Sequence, residues 1–163
     1  MVRTSYSSAT KGFGNRVNEI VQLLRRARMP TTESIDWTVR LFEDTKRRIY
    51  DSTGVRVENM KALDVGPGQQ LGCLRCFATQ NDVVAIDTDV IAQSLDPRDL
   101  VRMLRHNSAL RTVKTTARKL LGIDSAFAKA LAERLGVPAF PKLPVLTMSA
   151  TAMTFPEASF DFV

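Results

Sequence analysis

Histidine, cysteine and tryptophan are scarce in this chain. There is one histidine, His106, one tryptophan, Trp37, and two cysteines, Cys73 and Cys76. One histidine and a single cysteine pair cannot assemble the four ligands of a structural zinc site. Cys73 and Cys76 stand three apart within a helical pattern, so both face one way, as small core-facing thiols. A redox pair would open its helix rather than sit inside one that follows a glycine turn. His106 reads as a surface residue of a helix, and a general base there is the lesser reading. No run is apolar enough to span a bilayer. Residues 1–11 are rich in Ser and Thr and lack the apolar core of a secretory signal. A cytoplasmic location is therefore expected. Aromatic residues make up only 7% of the chain and few interleave with its basic runs, which argues against nucleic acid as a partner.

Length and composition suit a globular domain: 163 residues, 44% hydrophobic and 25% charged. Net charge is +6 and unevenly spread. Residues 1–30 carry +5 and residues 98–119 carry +6, leaving −5 on the remainder. In the second basic segment Arg111, Lys114 and Arg118 recur at steps of three and four. They form either a solvated helix face or a platform that attracts an anionic small-molecule substrate.

The most informative stretch runs from Ala62 to Asp89. An apolar strand at 62–65 ends in the sequence Asp64-Val65-Gly66-Pro67-Gly68. A helical pattern from about Gln69 to Thr79 follows, then the strand Val83 to Ile86, ending at Asp87. This is a βαβ unit with a carboxylate at the tip of each strand. Gly66 and Gly68 permit a sharp bend and let a ligand lie against bare backbone. In open parallel sheets, ligands bind beyond the carboxyl ends of the strands. Asp87 is placed to accept hydrogen bonds from a ribose diol. The spacing is not that of the dinucleotide fingerprint, which needs glycine where Leu71 stands. Asp64 at the mouth of the crevice would repel a pyrophosphate and suit a cation such as an amino group.

Two helices precede this unit. Val17, Ile20, Val21 and Leu24 mark the first, stopped by Pro30; Ile35, Val39, Phe42 and Ile49 mark the second, from about Ser34 to Ser52. Both read as packing helices. After Asp89 more than fifty residues separate the second strand from the third, Val145 to Met148. That is far beyond a usual connection. This insert carries three helical patterns. Asp96-Pro97 opens the first; Leu110, Val113, Ala117 and Leu120 form the apolar face of the second; Phe127, Leu131 and Leu135 mark the third, closed by Gly136.

Three segments in order resemble the class I S-adenosylmethionine-dependent methyltransferases. They are Asp64-x-Gly66-x-Gly68, the strand end Val84 to Thr88, and Met153 to Val163, which is similar to that family's L-P-F-P-D-x-S-F-D-x-V segment. The resemblance covers residues 60–90 and 143–163. It implies an α/β, three-layer αβα Rossmann-like methyltransferase fold, truncated here at strand 4, with N-terminal helices (1–58) and a SAM-binding domain (59–163) holding a helical insert (92–140). It implies S-adenosyl-L-methionine as cofactor. Asp64, Gly66, Pro67 and Gly68 would border its methionine part, Asp87 its ribose and Thr88 its adenine. Ser149 and Ala150, after the third strand, would close over the adenine. Ser149 departs from the acid common at that place, and Gln70 from a third glycine. Residues 160–163 would begin the fourth strand, whose unpaired edge would invite a second copy. Catalytic residues are not legible, because methyl transfer needs mainly alignment of donor and acceptor. Two rivals stay open: a degenerate methyltransferase-like binding module and an NAD(P)-dependent oxidoreductase.

Overall fold

A computed structural model describes residues 32–163. The expected helix around residues 17–24 lies outside the described residues. The first element, α1 (Thr32–Thr53), is a 22-residue helix that buries Ile35, Thr38 and Phe42. Its apolar residues fall on one face as the sequence indicates, while Trp37 and Leu41 stay exposed. Gly54 ends it with φ +71° and donates to the Tyr50 carbonyl at 2.7 Å.

Strand β1 (Lys61–Val65), helix α2 (Gly72–Phe77) and strand β2 (Asp82–Asp87) form the expected βαβ unit, with β1 and β2 parallel. The strands agree with the sequence reading to within a residue. The helix does not: it starts three residues late and stops two early. Leu71 takes the place before it in the left-handed region, φ 55°, a conformation that is strained for a branched side chain. Burial holds it there, since Leu71 is 1% exposed within the core.

The insert supplies α3 (Pro97–His106), α4 (Ala109–Leu120) and α5 (Ile123–Leu135), followed by β3 (Val145–Thr147) and a single 3-10 turn at Ala150–Ala152. Asp96 caps α3, its side chain accepting from Arg98 N at 2.8 Å, with Pro97 at the first helical position as anticipated. The expected apolar face of α4 is not its buried face. Leu110, Val113 and Leu120 are 59–70% exposed, and Thr112 and Thr115 are buried instead. The physical reason is that each threonine turns a methyl inward while its hydroxyl finds a partner. Thr112 Oγ1 donates to the Met103 carbonyl at 3.1 Å, and Thr115 Oγ1 to Gln69 Oε1 at 3.4 Å.

The sheet order is β1-β2-β3, all parallel. Beyond β1, on the side away from β2, Phe162 forms a parallel bridge to Ala62. Leu63 N donates to the Phe162 carbonyl at 3.0 Å, and Asp161 N to the Lys61 carbonyl at 2.8 Å. The chain thus builds outward from β1 through β2 to β3 and then returns to the opposite side of β1. That reversal is a topological switch point.

One face of the sheet carries Ala62, Val83 and Ala85, and α1, α2 and α5 close over it. Ile35, Phe42, Leu74, Cys76, Phe77, Phe127 and Leu131 fill the space between. Phe42 and Phe77 meet edge to face with centroids 4.9 Å apart. Helix α5 therefore belongs to the main core, not to an appendage. Gly72 is where the three helices converge: a Cβ there would lie 3.0 Å from Thr38 Cγ2 and 3.3 Å from Phe127 Cζ. The root of the insert is held by two side-chain amides. Asn107 accepts from Val90 N at 2.7 Å and donates to Val90 O at 2.9 Å. Gln93 makes the same pair of hydrogen bonds with Leu143, donating to its carbonyl at 2.6 Å and accepting from its N–H at 2.9 Å. Each amide supplies the donor–acceptor pair that a neighbouring strand would supply. The backbone leaving and re-entering the sheet is thereby satisfied.

Candidate functional site at the carboxyl edge of the sheet

Three segments converge at the carboxyl edge: the bend after β1, the end of β2, and the residues after β3. In the β1–β2 register Asp64 lies opposite Ala85, two residues before Asp87. Strand spacing and rise then put the two aspartate Cα atoms about 8 Å apart. Both project on the helix-covered face. The ladder runs one step past β1, with Gly66 N donating to the Ile86 carbonyl at 2.9 Å. Gly66 and Gly68 then turn at φ +75° and +71°, and a Cβ on either would meet nothing within 4 Å. The bend is bare and open. Pro67 between them is half-buried.

The Asp64 carboxylate accepts no hydrogen bond among the described residues, and burial pushes it above the ordinary 3.8. Asp87 is tied at one oxygen, its Oδ1 accepting from Asp89 N at 2.9 Å. Burial raises its carboxyl as well, partly offset by the nearby Arg111 guanidinium and the Thr88 backbone N–H. Thr88 itself is exposed. β3 runs beside β2 so that Met148 N donates to the Asp87 carbonyl at 2.9 Å. This brings Ser149 and Ala150 to the same edge. Ser149 caps the 3-10 turn: its Oγ accepts from Thr151 N at 3.2 Å and lies 2.9 Å from Thr151 Oγ1. Its hydroxyl is thus engaged locally.

Helix α4 flanks this edge. Arg111 forms an ion pair with Asp89, beside Asp87, while Thr115 reaches Gln69 just past the bend. Of the three basic residues on the expected stripe, Arg111 is therefore paired. Arg118 turns inward to hold Asp124 with two bonds of 3.1 Å. Lys114 has an interaction of its own. His106 ends α3 in an exposed position, as read from the sequence. Cys73 and Cys76 are free thiols, pushed by burial up to about 11 and about 12, and are therefore unreactive near neutral pH. Among the described residues no group of histidine, cysteine and acidic side chains is arranged for a metal. None of their helices is long and apolar enough to cross a membrane.

A cavity of about 460 Å³ lies next to the bend but is not the crevice. Gln69 and Gln70 reach it, whereas Asp64, Gly66, Gly68, Asp87 and Ser149 do not. Its walls come from residues 69–71, α2, Lys119 of α4, α5 and the segments 92–95 and 138–140. Arg75, Gln93 and Asn107 are the residues sequence reasoning passed over. Arg75 sits between two cysteines whose spacing is the stronger sequence signal, and the two amides carry no periodic signal.

No protein-family model, curated protein or solved structure matches the chain. What stands on geometry is an α/β fold with a three-stranded parallel sheet flanked by helices, with a bare glycine bend and two aspartates at its carboxyl edge.

Proposed function

We propose that the chain is a S-adenosylmethionine-dependent methyltransferase of the Rossmann-like αβα type, acting on a small-molecule acceptor. The observation that carries this reading is the open bend at Gly66 and Gly68, flanked on neighbouring strands by Asp64 and Asp87. The strand order, with the Phe162 segment returning beside β1, supports the finer fold assignment.

The residues present fit such a cofactor. The bend leaves room for a ligand against the main chain, where any Cβ would intrude. Asp64, lacking a protein donor, suits an ammonium group. Asp87 keeps its second oxygen for a ribose diol while its first is fixed by Asp89 N. Thr88 and Ala150 would border the base, with Ser149 offering a neutral hydroxyl in place of a carboxylate, a weaker contact. When bound, the sulfonium supplies an electrophilic methyl group. The protein's own task is then to hold the acceptor in line and to exclude water.

Calorimetric titration of the chain with S-adenosylmethionine, S-adenosylhomocysteine and NAD tests the reading. Binding of the two sulfur compounds and not NAD is expected. Binding of NAD alone would overturn it in favour of an oxidoreductase, a reading that Asp64 and the absence of glycine at Leu71 oppose. A non-catalytic binding module is the second reading, favoured by the local engagement of the Ser149 hydroxyl. Cofactor binding with no methyl transfer to any acceptor would support that module.

A further inference from the structure

The cavity beside the bend has an unusual charge balance. Arg75 and Lys119 line it together with the exposed Lys129, which pairs with Glu133, and Arg118 stands behind them. One carboxylate, Asp124, faces Arg75, Arg118 and Lys119. Asp124 is already engaged at both oxygens: it takes two bonds from Arg118 and one of 2.9 Å from Lys119. The side chains of that trio are only 9–21% exposed. Arg75 is left without a direct carboxylate partner among the described residues.

Arg75 is also held in place. Its Nε donates to the Gln70 carbonyl at 3.3 Å, and its guanidinium lies over the Phe140 ring, 5.3 Å from the centroid. The four N–H groups of its two terminal nitrogens have no acceptor among the described residues. Burial lowers its proton affinity, against the partial support of Asp124. A fixed, partly desolvated guanidinium with open in-plane donors matches a planar two-oxygen acceptor. Ala92, Leu95, Ala132, Pro138 and Phe140 give the cavity an apolar side, while Gln69, Gln70, Ser94 and Lys129 give it a polar one. The volume lies within the range of small-molecule sites.

We propose that this cavity binds a flat, apolar-bodied carboxylate, with Arg75 taking the carboxylate group and the apolar walls the body. The assignment stands apart from the cofactor reading, since none of the crevice residues lines the cavity. It gives the helical insert a role: the loop after β2, α5 and the segment before β3 build a second ligand site on the shoulder of the first.

The full chain, with no cofactor added, is titrated with 2-naphthoate and with its neutral counterpart 2-naphthamide. The carboxylate should bind about ten- to a hundredfold more tightly than the amide, the range of a charge-assisted hydrogen-bond pair. Arg75→Gln should bring the two affinities together, and Arg75→Lys should restore part of the gap. Ala128→Trp, which fills the cavity from α5, should abolish binding of both probes while leaving the α2 side chain intact. Thermal melts establish that each variant is folded. Equal affinity of the two probes for the wild type would overturn the proposal. So would an unchanged gap in folded Arg75→Gln, or naphthoate binding that survives in folded Ala128→Trp. Parallel titrations with S-adenosylmethionine keep this outcome separate from that of the crevice.

Discussion

Gly54, Gly66 and Gly68 form an internal control for the proposed crevice. All three have φ between +71° and +75°, and at none of them would a Cβ meet an atom within 4 Å. Replacing any one by alanine therefore introduces the same perturbation: a left-handed residue with a Cβ and no clash. The cost is about 1–2 kcal/mol in each case. For a domain of this length that is a fall in Tm of about 2–8 °C. On stability alone the three variants should be indistinguishable. Their difference lies in what each glycine is for. Gly54 only closes α1 through its bond to Tyr50, whereas the proposed ligand lies directly on Gly66 and Gly68. A methyl group there occupies the ligand's place, so S-adenosylmethionine affinity should fall at least tenfold, about 1.4 kcal/mol or more, with Gly54→Ala unchanged. Thermal melts and calorimetric titration of the three variants supply both readouts. Equal loss of affinity in all three, or no loss in Gly66→Ala and Gly68→Ala, would refute the reasoning.

Other consequences follow from packing and charge. Gly72→Ala should destabilise by about 1–2 kcal/mol despite alanine's better helix propensity, because overpacking against Thr38 and Phe127 outweighs it. Thr38→Ser removes the Cγ2 that sits 3.0 Å away and leaves the Phe127 contact at 3.3 Å, so in that background Gly72→Ala should cost less in urea denaturation. Asn107→Leu leaves the N–H and C=O of buried Val90 without partners, at about 1–3 kcal/mol each. A lower urea midpoint with a shallower slope, as the insert opens ahead of the sheet, is the expected record. Asp64 has its native carboxyl raised above 3.8 by burial, so the folded chain holds that proton more tightly than the unfolded one. Its contribution to stability therefore falls as pH rises from 3.8 through the raised native value. Asp64→Asn should melt higher than the wild type near neutral pH, with the gap closing in acid, and should bind S-adenosylmethionine less well. A gap that is constant with pH would show that ionisation of Asp64 is not its source.

The fold is legible in the sequence wherever a local rule has no competitor. The βαβ unit followed from apolar runs and paired glycines, and its strands came out to within a residue. The Asp96-Pro97 cap is a rule of chain chemistry and it held. α2 was read too long because propensity over 69–71 favours helix. The approach of α1 and α5 at Gly72 instead forces Leu71 into a left-handed cap. α4 was read inside out because periodicity ranks leucine above threonine. A β-branched residue whose hydroxyl bonds a carbonyl one turn back is an adequate core residue, and Leu110, Val113 and Leu120 had no neighbour to bury them. Arg75, Gln93 and Asn107 were invisible because their partners are 5, 50 and 17 residues away. Those pairings exist only after the fold does.

The insert shows why these misses fall together. A connection of this length between adjacent parallel strands must restore to the backbone the hydrogen bonds that a short loop would leave to water. Here Asn107 and Gln93 do so at the two ends, where the chain leaves β2 and where it approaches β3. With its ends fixed, α5 is free to enter the core against α1 and α2, and α4 to lie along the carboxyl edge. That arrangement puts Arg111 beside Asp89 and leaves a cavity with an unmatched guanidinium behind the glycine bend. Loss of either amide should therefore disturb the site before it unfolds the sheet. In Asn107→Leu, protection of amides in 97–120 against hydrogen exchange should fall while that of β1 and β2 persists. A uniform loss across both strands and the insert would instead make the whole chain one cooperative unit and remove the distinction between scaffold and insert.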